Sequence, residues 1–324
     1  MGTSFLLRST LLVLARALPA WAAVEMQEGP DKVRVEIGGK LFTEYCFTGT
    51  PHVYFYPLIG PGGARMTRDW PMKDTPGEEH DHPHHRSLWF AHGSVNGVDF
   101  WTEAAPGKDL EKAPGRITHE KFLKVQGGEK EGVIRDQVRW VAADGSVPVT
   151  GEQTFRVQDG AERIIDFAMT LTAGEKDVVF GDTKEGTMAL RIAETMRLVG
   201  ADKKAGAGKI VNSVGDVDGK VWGQKAAWVD YSGPVDGKMV GLAIFDHPQN
   251  PRHPTRWHAR EYGLFAANPF CEHAMDKTQP AGTGDFKLAA GQSVTFQYRI
   301  ILHAGDAAQG KIAERFAEYA AAGK

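Results

Sequence analysis

Val33-Arg34-Val35-Glu36-Ile37 alternates apolar and polar side chains and stops at Gly38-Gly39, the pattern of a half-buried strand entering a turn. The same two-residue rhythm, rich in β-branched and aromatic residues and broken by Gly, Asp, Asn and Pro, predicts strands over 41–47, 53–58, 115–126, 132–142, 149–157, 162–172 and 178–180. Further strands are predicted over 226–231, 239–246, 262–266 and 293–303. Residues 188–198 fit both periods, because Leu190, Ile192, Ala193 and Met196 suit either, and are read as strand. A helix is predicted only at the end, where Ile312, Ala313, Phe316, Tyr319 and Ala320 recur at helical spacing after Asp306 as cap. About fifteen strands and one late helix imply an all-β fold, a large antiparallel β-sandwich. Strands follow strands where a parallel sheet would need crossover helices.

The rhythm fails between residues 59 and 101. Ile59-Gly60-Pro61-Gly62-Gly63 ends it, an irregular passage runs to Glu79, and His80-Asp81-His82-Pro83-His84-His85-Arg86 follows. Trp89, Phe90, His92, Asp99, Phe100 and Trp101 then complete a stretch holding five of the twelve histidines. Long irregular passages in compact domains are often functional. Histidine titrates nearest neutral pH and is the commonest metal ligand, so the cluster suits proton transfer, metal binding or hydrogen bonding to a polyhydroxylated ligand. Pro83 favours an extended or turn conformation, which sends His82 and His84 to one side and Asp81 and His85 to the other. His82 and His84 are therefore candidate ligands for one divalent metal. The bland alternative is that the rings bond backbone carbonyls and tie the loop down.

Two distant stretches carry related composition. In Lys184-Glu185-Gly186 the glycine lets a ligand or a backbone come close, and Glu185 is a candidate base or a solvated turn residue. His247, His253 and His258 with Trp257 crowd a second Pro-rich loop and are candidates for the far side of the same pocket. The acid/base candidates are His84, His85 and Glu185. Arg86, Trp89, His92, His253 and His258 are the candidate substrate-binding residues, with Trp89 as a stacking surface and Arg86 as a clamp or an ion-pair partner of Asp81 or Asp99.

Residues 1–23 read as an export signal, with Arg8 ahead of a mostly apolar run over 11–18 and an Ala20-Trp21-Ala22 cleavage site. An uncleaved anchor is the alternative. Residues 24–324 form one expected β-sandwich domain, secreted or periplasmic, with no membrane span once the signal is removed. Without the signal, 36 basic residues face 41 acidic ones, which excludes an electrostatic case for nucleic acid or an anionic membrane as partner. Cys46 and Cys271 are too few for a disulfide framework and are read as free thiols, with one bridge as the alternative.

His82-Pro83-His84-His85-Arg86, Leu88-Trp89-Phe90-Ala91-His92-Gly93, Asn96-Gly97-Val98-Asp99-Phe100-Trp101, Lys184-Glu185-Gly186 and Tyr262 through Phe270 together resemble a secreted bacterial PmoA-like family, over nearly the whole mature chain. Ser87 and Cys271-Glu272-His273 stand where that family usually has glycine. The resemblance implies a galactose-mutarotase-like supersandwich. Its methane-oxygenase label implies a metal, but the chain has no second apolar span and no histidine at the expected mature terminus. The expectation is a carbohydrate-active enzyme, an epimerase, lyase or hydrolase, on a small-molecule or oligosaccharide substrate. A non-catalytic carbohydrate-binding protein and a metal-dependent oxygenase are the alternatives.

Overall fold

A computed structural model describes residues 24–103, 113–158, 160 and 162–322, so the expected signal segment lies outside the described residues. The first half holds β1 (Val24–Glu28), β2 (Lys32–Ile37), β3 (Lys40–Cys46), β4 (Tyr54–Phe55), β5 (Leu88–His92), β6 (Arg116–Gln126), β7 (Glu131–Val141), β8 (Val149–Gln158) and β9 (Arg163–Ala173). The second holds β10 (Val178–Phe180), β11 (Gly186–Arg191), β12 (Lys209–Asn212), β13 (Trp228–Val235), β14 (Lys238–Asp246), β15 (Arg256–Trp257), β16 (Leu264–Asn268), β17 (Phe286–Leu288) and β18 (Ser293–Ala304), closed by α1 (Ile312–Ala322). One eight-stranded sheet runs β1-β2-β3-β4-β5-β11-β16-β15 and another β12-β13-β14-β18-β9-β8-β7-β6, with β10 and β17 as a small ribbon. The pairs between strands are antiparallel. The fold is an antiparallel β-sandwich with one C-terminal helix.

The sheets meet through their apolar faces. Along β9, Ile165, Phe167, Met169 and Leu171 are buried at every second position, as the pleat requires. Phe55 of the first sheet stacks on Phe155 of the second at 3.9 Å, and Phe90 on Phe167 at 5.9 Å. One polar bridge crosses this layer, where Tyr45 donates to the Asp136 carboxylate and His119 Nδ1 lies 2.6 Å from its other oxygen. Burial pushes the Asp136 carboxyl up even with those partners.

Helix α1 lies on the outer face of the second sheet, where Ile312 is buried with Trp228, Ala243, Phe245 and Ile301. Asp306 caps the turn ahead of it, accepting from the Ala308 and Gln309 N–H groups, so the helix begins six residues after Asp306 and not directly behind it. The span read as strand over 188–198 is strand only to Arg191 and turns through a short 3-10 segment at Glu194–Met196. Cys46 and Cys271 are both free. No helix among the described residues is long and apolar enough to cross a membrane.

Candidate functional site

Strand β11 is buried along its length and pairs β5 on one side, with Leu190 opposite Leu88, and β16 on the other, with Arg191 opposite Leu264. That register brings the histidine segment before β5 and the Arg260–Gly263 turn before β16 together at the Arg191 end of β11, and puts the Lys184-Glu185 turn at its Gly186 end. Pleating decides which side chains join them. Phe90 faces the second sheet, and His92, two residues on, faces the same way, against Phe180 and Phe270. Trp89 points the other way and meets His85 at 5.4 Å and Trp101 at 5.0 Å.

The histidine segment is held from below by two arginines that are wholly buried. Arg68 donates to the Asp81 carboxylate and to the carbonyls of Trp70, Glu79, Asp81 and His82. Arg191 grips both Asp81 oxygens at 2.9 and 3.1 Å and reaches His85 Nδ1 at 3.2 Å. A guanidinium only donates, so His85 Nδ1 is the acceptor and its proton sits on Nε2. Burial raises the Asp81 carboxyl, but the His82 hydrogen bond and the Arg191 and Arg68 charges outweigh it and hold it well below the usual carboxylate range.

Asp81 in turn accepts from His82, whose Nδ1 lies 2.6 Å from Oδ2. With Nδ1–H given to the carboxylate, the neutral ring presents the lone pair of Nε2, the arrangement in which an acid orients an imidazole base. The His82 ring lies parallel to Tyr262 at 5.3 Å and to His85 at 4.6 Å, and it is 41% exposed. His84 packs edge-on to His85 at 4.5 Å, and burial with the neighbouring His82 lowers it to about 4.

Glu185 and His258 form the opposite side. Burial raises the Glu185 carboxyl against the opposing pull of Lys184, and Asp99 raises it further. His258 Nδ1 lies 3.9 Å from Glu185 Oε2, beyond hydrogen-bond range, and is buried without a partner. Burial and the charges of Arg260 and Lys184 lower the ring to about 3, so it is neutral at pH 7. His82 lies within electrostatic range of Glu185, His258, His84 and His85 alike, so it stands at the centre of the four.

Other expected site residues are engaged elsewhere. Arg86 is locked to Glu103 at 2.6 and 2.9 Å over the Tyr54 ring, not to Asp81 or Asp99. Trp89 is 2% exposed beneath the histidine loop, which leaves no face for a sugar. His92 donates Nε2–H to the Gly181 carbonyl at 2.9 Å. A Cβ at Gly186 would stand 2.5 Å from His92 Nδ1, so the glycine makes room for that ring, not for a ligand. His253 bonds Asp246 at 2.7 Å and stacks on Phe316 of α1, on the far side of the sandwich with His247. His85 is wholly enclosed, and burial and Arg191 push it well below its ordinary value. Spacing does not mark Arg68 or Arg191, and it carries Tyr262 only as the first residue of the 262–270 motif, because all three meet the histidine loop through contacts between distant segments.

The metal expected at His82 and His84 finds two imidazoles with centroids 5.7 Å apart, one of them already bonded to Asp81. No group of three or more His, Cys, Asp or Glu able to hold a metal ion occurs among the described residues.

A family model described as a family of unknown function, DUF6807, matches residues 32–317. The chain belongs to that family. The match does not carry the PmoA label that the motifs suggested. No curated protein sequence matches the DUF6807 chain significantly. Among solved structures it resembles an α-galactosidase of glycoside hydrolase family 36 from Geobacillus stearothermophilus, at 8% identity and TM-score 0.42, covering 89% of this chain and 41% of that one. An α-galactosidase from Lactobacillus brevis aligns at 8% identity and TM-score 0.41, covering 88% and 40%. A galactose mutarotase related enzyme from Lactobacillus acidophilus aligns at 8% identity and TM-score 0.33, covering 87% and 98%. The chain thus spans about two fifths of the α-galactosidases it matches. Likeness at these levels says nothing about what the chain acts on.

Proposed function

We propose that this DUF6807 protein is an exported carbohydrate-active enzyme in which His82 and Glu185 exchange protons with a sugar or modified glycoside. The observation that carries the reading is the Asp81–His82 hydrogen bond, anchored by two arginines, within electrostatic range of a partly buried Glu185. His82 is oriented as a base by a carboxylate that two buried arginines keep ionised. Glu185 is a carboxyl that burial makes a better proton holder. An imidazole oriented by a carboxylate and a carboxyl whose proton burial favours are the parts from which one site builds a base and an acid. His82 Nε2 takes a proton from a ring carbon or hydroxyl, Glu185 gives one to the leaving or re-protonated atom, and neutral His84 meets hydroxyls without adding charge. Epimerisation, lyase cleavage and hydrolysis all use that pair.

The test is turnover of aldose, ketose and glycoside panels, followed by NMR, in wild type and in His82→Gln and Glu185→Gln. Loss of turnover in both variants with unchanged unfolding supports the proposal. Unchanged turnover in a folded double variant overturns it. Saturable sugar binding with no turnover in wild type would instead identify a non-catalytic binding protein.

A further inference from the structure

Most of the partly or fully buried arginines near the site already hold a carboxylate. Arg68 and Arg191 hold Asp81, Arg86 holds Glu103, Arg197 holds Glu79 and Glu194, and Arg256 holds Glu272. Arg260 differs. Its guanidinium carbon lies 5.8 Å from the Trp222 ring centre and 5.5 Å from that of Tyr262, and it has no ion pair or side-chain hydrogen bond among the described residues.

The backbone fixes where this group stands. The Arg260 N–H bonds the Leu264 carbonyl at 2.7 Å and its carbonyl accepts from Gly263 at 3.0 Å, closing a tight turn between β15 and β16. Gly263 has φ +95°, and a Cβ there would meet Ile192 at 2.9 Å, so the turn needs glycine. Trp222, Arg260 and Tyr262 line a groove of ≈ 260 Å³. Tyr262 is shared between the groove and the site, since His82 stacks on its ring, and the Arg260 charge bears on Glu185 and His258, which puts the groove beside the proton-exchanging groups. The Trp222 indole N–H in its wall is buried with no acceptor, a second donor left unmet. Glu261 also lines the groove, beyond ion-pair distance of Arg260, with an oxygen that a Cβ on Gly219 would meet at 2.9 Å.

A planar guanidinium held between two aromatic faces and lacking a carboxylate matches an incoming carboxylate in charge and in fork geometry. We infer that Arg260 seats the carboxylate of an acidic sugar, making uronate-type substrates the class this protein selects. This rests on the proton-exchange reading for which sugar is transformed, but the seat itself is a binding property and is tested as one.

The probes are D-glucuronate and D-galacturonate against D-glucose and D-galactose, with affinity read by calorimetry and turnover by NMR. Wild type is expected to bind the uronates about tenfold or more tighter than the neutral sugars, the order of one charge-assisted hydrogen-bonded pair. Arg260→Gln is expected to erase that preference and Arg260→Lys to keep part of it, while Glu185→Gln keeps it and loses turnover. Equal affinity for both classes, an unchanged preference in a folded Arg260→Gln protein, or no binding of any probe overturns the inference. Uronate binding that depends on Arg260 without turnover leaves the seat standing and removes the enzyme reading. Turnover of neutral sugars that depends on Glu185, with no uronate preference, does the reverse.

Discussion

Asp81 Oδ2 lies 2.6 Å from His82 Nδ1, and the same carboxylate is bonded by Arg68 and Arg191, both fully buried. One short side chain therefore does two things: it aims the imidazole and it pairs with two cations that have left water. The two roles separate by substitution. His82→Gln is expected to cost activity, by about 10²–10⁴-fold for a lost general base, with little change in unfolding. Asp81→Asn is expected to cost activity and also about 3–5 kcal/mol of stability, because it leaves buried charge unpaired. Urea unfolding of both variants beside turnover assays checks this, and equal stability of the two variants would contradict it.

Stability is expected to fall on acidification from pH 6.5 toward pH 4. Burial lowers His52 and His258 to about 3 and His84 and His92 to about 4, each below the ordinary histidine value. Between those values and 6.5 the unfolded chain binds protons that the native chain does not, so protons favour unfolding. Each such histidine contributes up to about 1.4 kcal/mol per pH unit in that window, and nothing above it. Asp81, held low, adds its loss only below the unfolded carboxylate range. Unfolding midpoints from pH 4.5 to 7.5 measure the slope. His52→Leu, which removes one buried ring to which the proposed chemistry gives no role, is expected to reduce it by about one proton's worth.

Purified, dialysed protein is expected to retain no stoichiometric zinc, copper or iron. Protein sites for catalytic zinc supply about three ligands, and here His82 and His84 offer two imidazoles with one nitrogen already given to Asp81. Elemental analysis decides the matter. About one equivalent of metal, lost in His84→Gln, would restore the metal-dependent reading.

Gly186→Ala is expected to destabilise by about 1–3 kcal/mol through overpacking, since the new methyl meets the enclosed His92 ring at 2.5 Å. His92→Ala opens that space, so the double variant is expected to recover part of the loss. A double-mutant cycle in urea reads the coupling, and strict additivity would show that the ring does not fill the space under Gly186.

The alternation of residues 33–37 and 163–171 was enough to determine sheets, because a strand with one apolar side has to bury it against another sheet. Helical spacing after residue 306 was enough for α1. Composition likewise marked the His80–His92 stretch as the place to look, since so many imidazoles, charges and aromatics together exceed what a core or a solvated loop needs. What the sequence does not contain is which face each side chain takes and which distant strand lies beside it. Trp89 and His92 sit three residues apart on one strand, and the pleat sends them to opposite layers. His253 and His258 sit five apart, and the turn between them carries one to α1 and the other to Glu185. Arg68 and Arg191 have ordinary neighbours in sequence, yet antiparallel register brings both beneath Asp81. Short-range spacing fixes period and local conformation, whereas the pairing of β5, β11 and β16 is a long-range choice made by burial of the whole sheet, and that choice decided which of the twelve histidines gather around Asp81 and Glu185.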